Sequence, residues 1–137
     1  MRLWLTIAAL ALVVTIGAPV AAEDLSGEVK DLTWLGFQQF REGSRVFIRT
    51  TEPAQFTIDT SRPNMVVVIL ANTRVPIRNN RRPLDTSHFD SPIRYIYPKV
   101  IEGASPSVRI EIYLRQKVPF RQVTNDNVLS LFFQNRG

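Results

Sequence analysis

The chain has 137 residues, 17 Lys and Arg against 12 Asp and Glu, and a net charge of +5. One domain is the expectation at this length. The sequence has no Cys, which excludes disulfides, thiolate metal sites and a Cys nucleophile. Only Lys30, Lys99 and Lys117 are Lys, so the positive charge is mostly guanidinium, a group suited to planar carboxylate or phosphate partners.

The first 22 residues do not read as fold. Met1-Arg2 is followed by an apolar run from Leu3 to Ile16, a break at Gly17-Ala18-Pro19, and small residues up to Ala22. That is the layout of a secretory signal peptide cut after Ala22. The apolar run is short for a bilayer span, which needs roughly 20 residues. The domain is therefore expected over 23–137, exported to the periplasm or cell envelope, with no membrane span after cleavage. Export also argues against nucleic acid as the acidic partner.

From there on, period-2 alternation and β-branched or aromatic residues dominate. The expected strands run Asp31–Phe40 (ended by Glu42-Gly43), Arg45–Thr51 (ended by Glu52-Pro53), Gln55–Thr60 (ended by Ser61-Arg62-Pro63) and Met65–Ala71. A second set runs Pro92–Ile101 (ended by Glu102-Gly103), Val108–Leu114, Pro119–Thr124 (ended by Asn125-Asp126) and Val128–Gln134. The sets correspond in order, at an offset of roughly 60 residues, as a duplicated half-domain would. Between them lies a connector over 72–91 with two Pro and four Arg and no sustained periodicity. The expected architecture is all-β: a sandwich of two pseudo-symmetric four-stranded sheets joined by an irregular crossover.

No catalytic constellation emerges. Ser87, His88 and Asp90 are close in sequence, but neighbours of this kind rarely give nucleophile–base–orienter geometry. Asp85, His88 and Asp90 are a thin metal set. There is no Gly-rich phosphate loop, and no cofactor or metal is expected. Binding chemistry is easier to find. Opposite the apolar faces of two strands stand Arg45, Phe47 and Arg49, and Arg109, Glu111, Tyr113 and Arg115. Arg beside an aromatic ring suits an anionic glycan, the ring against sugar C–H and the guanidinium against carboxylate. The plainer reading is exposed cross-strand pairs that support the sheet. Arg74, Arg78, Arg81 and Arg82 in the connector read as a partner-docking segment or a solvated loop. Trp34, beside Leu35 and Phe37, reads as core or sheet packing rather than ligand stacking.

The stretches "SVRIEIYL…VPFRQVTNDNVLSLFF" and "RVFIRTTEPAQFTIDTSRPNMVVVILANTRV" together resemble the AMIN domain, over about residues 28 to 134. AMIN domains are exported modules found beside bacterial cell-wall amidases and in type IV pilus secretins. The resemblance implies two symmetric four-stranded sheets, peptidoglycan binding and targeting within the envelope. It places Arg109 on an Arg of the family, whereas Met65 and Ile69 stand where the family often has Arg and Asp. Neither amidase nor secretin sequence follows Gly137, so the module is expected to stand alone. The leading expectation is a non-catalytic module that binds peptidoglycan or another anionic wall polymer through Arg45, Phe47, Arg49, Arg109, Tyr113 and Arg115. The alternative is a protein–protein adaptor in an envelope assembly such as a type IV pilus or secretion machine, docking through the connector arginines or a sheet edge.

Overall fold

A computed structural model of the protein describes residues 28–135, so the expected signal peptide lies outside the described residues. Ten strands follow in order: β1 (Lys30–Gln39), β2 (Gly43–Thr50), β3 (Phe56–Asp59), β4 (Met65–Ala71), β5 (Thr73–Arg74), β6 (Leu84–Asp85), β7 (Ile93–Ile101), β8 (Ser107–Leu114), β9 (Phe120–Asn125) and β10 (Val128–Gln134). A 3-10 turn spans Arg78–Arg81 between β5 and β6. No helix among the described residues is long and apolar enough to cross a membrane.

The described residues form an all-β structure, with five strands in each of two sheets. The first sheet has the order β5-β1-β2-β10-β9 and the second β3-β4-β8-β7-β6. One apolar cluster joins them. Val46 and Ile48 of β2 and Leu129, Leu131 and Phe133 of β10 meet Val66, Val68 and Leu70 of β4 and Val108, Ile110 and Ile112 of β8. These are alternate residues on each strand, as a shared interior between two pleated faces requires.

Two expectations change. Each sheet holds five strands rather than four, and neither sheet is built from one half of the chain. The hairpin β1–β2 lies in the first sheet with β9–β10, while β3–β4 lies in the second with β7–β8. The chain passes between sheets through loops containing Pro53 and Pro119. Proline has no N–H for a ladder and holds its φ near −65°, so a strand ends there and the next can start in the facing sheet. The central pairs are then β2 with β10 and β4 with β8, each uniting the two halves.

The connector is ordered, and it covers sheet edges. Asn72 has a left-handed backbone (φ 48°) that turns the chain out of β4. β5 then pairs in parallel with β1, Lys30 opposite Thr73 and Asp31 opposite Arg74. Further along the β1 edge, buried Asn80 of the 3-10 turn accepts from the backbone N–H of Leu35 (3.3 Å) and donates to the carbonyl of Thr33 (3.0 Å). β6 pairs with the edge of β7, and Thr86 Oγ1 donates to the Ile93 carbonyl (2.7 Å). Uncovered edges invite pairing with other chains, so the segment has a protective task. Asn80→Ala should lower unfolding free energy by about 2 kcal/mol, because two edge groups lose their partners. Urea titration would read this as a lower midpoint with an unchanged slope.

Candidate binding faces

The outer face of the first sheet is assembled from four strands. Arg45 sits between Gln38 and Phe132, and Phe132 faces Arg121 across the next pair. Arg49 sits between Trp34 and Val128. Phe47 lies between Gly36 and Ser130. A Cβ at Gly36 would collide with the end of the Phe47 ring, so glycine lets that ring lie flat across β1. Trp34 packs on Phe47 with centroids 5.9 Å apart.

Each guanidinium on this face is stacked. Arg45 lies 4.6 Å from the Phe47 centroid and 5.8 Å from that of Phe132. Arg49 is 5.4 Å from the Trp34 ring and Arg121 is 4.7 Å from Phe132. Arg45 is held further by Nε donating to Ser130 Oγ (3.0 Å) and Nη1 donating to Gln38 Oε1 (3.1 Å). No carboxylate among the described residues forms an ion pair with Arg45, Arg49 or Arg121. Stacking restrains a guanidinium while leaving N–H groups at its rim for a planar anion.

The outer face of the second sheet has a different balance. At its centre is Glu111, whose side chain is only 7% exposed. Its carboxylate accepts from Arg109 Nε (2.9 Å) and from the Tyr113 hydroxyl (2.7 Å), with Lys99 Nζ at 3.7 Å. Burial opposes ionisation, but the hydrogen bonds from Tyr113 and Arg109 and the charges of Lys99 and Arg109 outweigh it. The Glu111 carboxyl is held below its ordinary 4.5. The Tyr113 hydroxyl is raised, first by its hydrogen bond to Glu111 and then by burial. Arg109 and Tyr113 are therefore engaged with an internal carboxylate.

A carboxyl depressed in the native state contributes stability that is complete above its unfolded value and lost as pH falls through its native one. Glu111→Gln should cost about 1.5–3 kcal/mol near neutral pH, the range for a hydrogen bond to a charged group. The gap between the two proteins should start to narrow as pH falls below the ordinary 4.5 and close only below the depressed native value of Glu111, where both carry a neutral side chain. Urea unfolding of both proteins across acidic pH would measure it.

The remaining residues expected to bind lie elsewhere. Arg115 spans the end of the connector: Nε donates to the Ser91 carbonyl (2.8 Å) and Nη2 to those of Ser87 (2.7 Å) and Phe89 (3.3 Å). The Phe89 ring it helps place packs on Phe37 (5.2 Å). Arg74 pairs with Asp31 (2.9 Å). Arg81 pairs with Glu102 (3.2 Å) and donates to the Val75 carbonyl. Arg78 and Arg82 are exposed, with no ion-pair partner among the described residues. Thus Arg45, Phe47 and Arg49 share one outer face, Arg109 and Tyr113 the other, and Arg115 and the connector arginines neither.

Three residues of the first face were not among the expected binding residues: Arg121 and Phe132, and Trp34, which the sequence places in the core or in sheet packing. Trp34 is 50% exposed rather than buried. The β1–β2 register slips between Leu32 and Trp34, so Leu32 and Leu35 both point inward and Trp34 turns out. A bulge of this kind breaks the parity on which inside-or-outside readings depend. Arg121 and Phe132 obey parity and were legible from it, as the residues opposite Phe120 and Phe133.

His88 is surface chemistry only. Its Nε2 lies 4.0 Å from Asp85 Oδ2 with the side chain 85% exposed. The Ser87 hydroxyl donates to Asp85 rather than to the imidazole. That bond, with the Ser87 N–H, holds the Asp85 carboxyl below its ordinary value. No group of three His, Asp or Glu among the described residues is placed to hold a metal ion.

Two sheets around one core, with differently charged outer faces, define a small all-β module. The family model of the AMIN domain matches residues 37–131, from within β1 to within β10, and the chain belongs to this family. AMIN domains occur in exported proteins of the cell envelope, as non-catalytic accessory modules of amidases and secretins. Comparison with curated proteins and with solved structures returned no match.

Proposed function

We propose that the protein is a periplasmic cell-wall-binding module that holds peptidoglycan, or a wall polymer of similar charge, on the outer face of its first sheet. The observation that carries this reading is the set of three ring-stacked arginines, Arg45, Arg49 and Arg121, with no carboxylate ion pair among the described residues. A face of this composition offers ring surface to sugar C–H groups and guanidinium edges to lactyl or peptide carboxylates. The neutralised centre of the other face, where Glu111 takes up Arg109 and Lys99, makes it the weaker candidate.

Sedimentation with purified, protein-free sacculi tests the reading. Retention should be strong at low salt and decline as salt screens the exposed charges. No retention at low salt by protein with an intact β-sheet circular dichroism spectrum would refute it. An adaptor role through the connector draws support only from Arg78 and Arg82, since Arg74 and Arg81 are paired internally.

A further inference from the structure

At one end of the same face, the β1–β2 turn and the ends of β9 and β10 enclose an open groove of about 450 Å³. That volume lies within the range of small-ligand sites, roughly 300–1,000 Å³. Its wall on the face side is aromatic: Phe40 stacks on Phe132 with centroids 6.4 Å apart, and Phe120 lines the other side. Two charged side chains of opposite sign line it, Glu42 and Arg121. They are not paired with each other, and neither has another ion-pair partner among the described residues. Arg121 is stacked over Phe132 at 4.7 Å and is exposed to solvent.

We infer that this groove is a subsite for a short zwitterionic peptide. A terminal carboxylate takes the rim of Arg121, an ammonium takes Glu42, and small apolar side chains lie along Phe40 and Phe132. The inference rests on the wall-binding reading and sharpens it: the stem peptide of the polymer, rather than the glycan alone, is what the groove recognises. The chemistry is complementary in both charge and polarity, with a charge-assisted hydrogen bond at each end and methyl-sized contacts between. The wider arginine face would then hold the glycan and its lactyl groups while the groove selects the peptide.

The test uses Nα-acetyl-Lys-D-Ala-D-Ala, which has one side-chain ammonium and one carboxylate, with its C-terminal amide and its Nε-acetyl form as controls. NMR titration should place the parent peptide at Phe40, Phe132 and Arg121, and each control should bind at least tenfold more weakly. Arg121→Gln should weaken the parent and remove the penalty for amidation, while Glu42→Gln should remove the penalty for Nε-acetylation. Equal binding of all three peptides, or binding of none, overturns the inference. Sacculi and peptide-free glycan strands separate it from the broader reading. Better retention on intact sacculi than on bare glycan agrees with the subsite; equal retention on both overturns the subsite and leaves wall binding standing. Retention on neither refutes wall binding, and the peptide titration then judges the groove by itself.

Discussion

Replacing Arg45, Arg49 and Arg121 together by Gln should reduce retention on sacculi by about 10- to 100-fold and leave what remains nearly independent of salt. Each guanidinium is exposed enough to be partly screened, so each contact is worth about 0.5–1 kcal/mol. Three such contacts give about 1.5–3 kcal/mol, and 1.4 kcal/mol is a factor of ten. Gln keeps much of the side-chain length and hydrogen-bonding capacity, so the change isolates charge and planarity. Loss of the stacked guanidiniums costs some stability as well, about 0.5–1 kcal/mol per pair, so unfolding must be measured alongside. The control removes the same charge elsewhere. Arg62, Arg94 and Lys117 are exposed and off this face, and their joint replacement by Gln should leave retention within about twofold of the parent. Equal losses in both variants would mean that net charge governs binding, and the claim for the first face would fail.

Gly43→Ala should lower stability by about 2–3 kcal/mol, although it adds one methyl group to an exposed-looking turn. Gly43 opens β2 opposite Gln134 of β10. A Cβ there would collide with the carbonyl oxygen of Phe133, and the obstacle is backbone rather than a movable side chain. Relief requires β2 and β10 to part at this end, where Phe133 is almost fully buried in the shared core. Since β2–β10 is the pairing that unites the two halves in the first sheet, the strain falls on a contact the fold depends on. Gly103→Ala makes the contrast. Gly103 has φ 131° and open space around its Cβ, so its cost is backbone strain alone and should be nearer 1 kcal/mol. Denaturant titrations that rank the two variants in the reverse order would contradict this account.

Those glycines show where sequence reading reaches and where it stops. Glu42-Gly43 and Glu102-Gly103 look alike as strand-ending pairs, yet Glu102-Gly103 follows the end of β7 whereas Gly43 already opens β2. One is required for a close approach between distant strands and the other for a turn conformation, a difference with no local signature. The same division runs through the fold. Met65–Ala71 and Val128–Gln134 lie end to end where alternation placed them, and the six other expected strands agree within two residues at each end. β5 and β6, each two residues long, had no periodicity to reveal them; they exist because β1 and β7 offer edges to pair with.

Read by itself, the sequence determined the eight longer strands, the side of β2 and of β8 that faces the core, and so the outward position of Arg45, Phe47, Arg49, Arg109 and Tyr113. A period of two is written into consecutive residues, and burial of one face enforces it. Tertiary structure alone decided which outward faces meet. It exchanged hairpins between the sheets, brought Arg121 and Phe132 beside Arg45, turned Trp34 out through a bulge, and tied Arg109 to Glu111. Strand partners are chosen by hydrogen bonding and packing between residues far apart in the chain, where alternation is the same for every candidate neighbour.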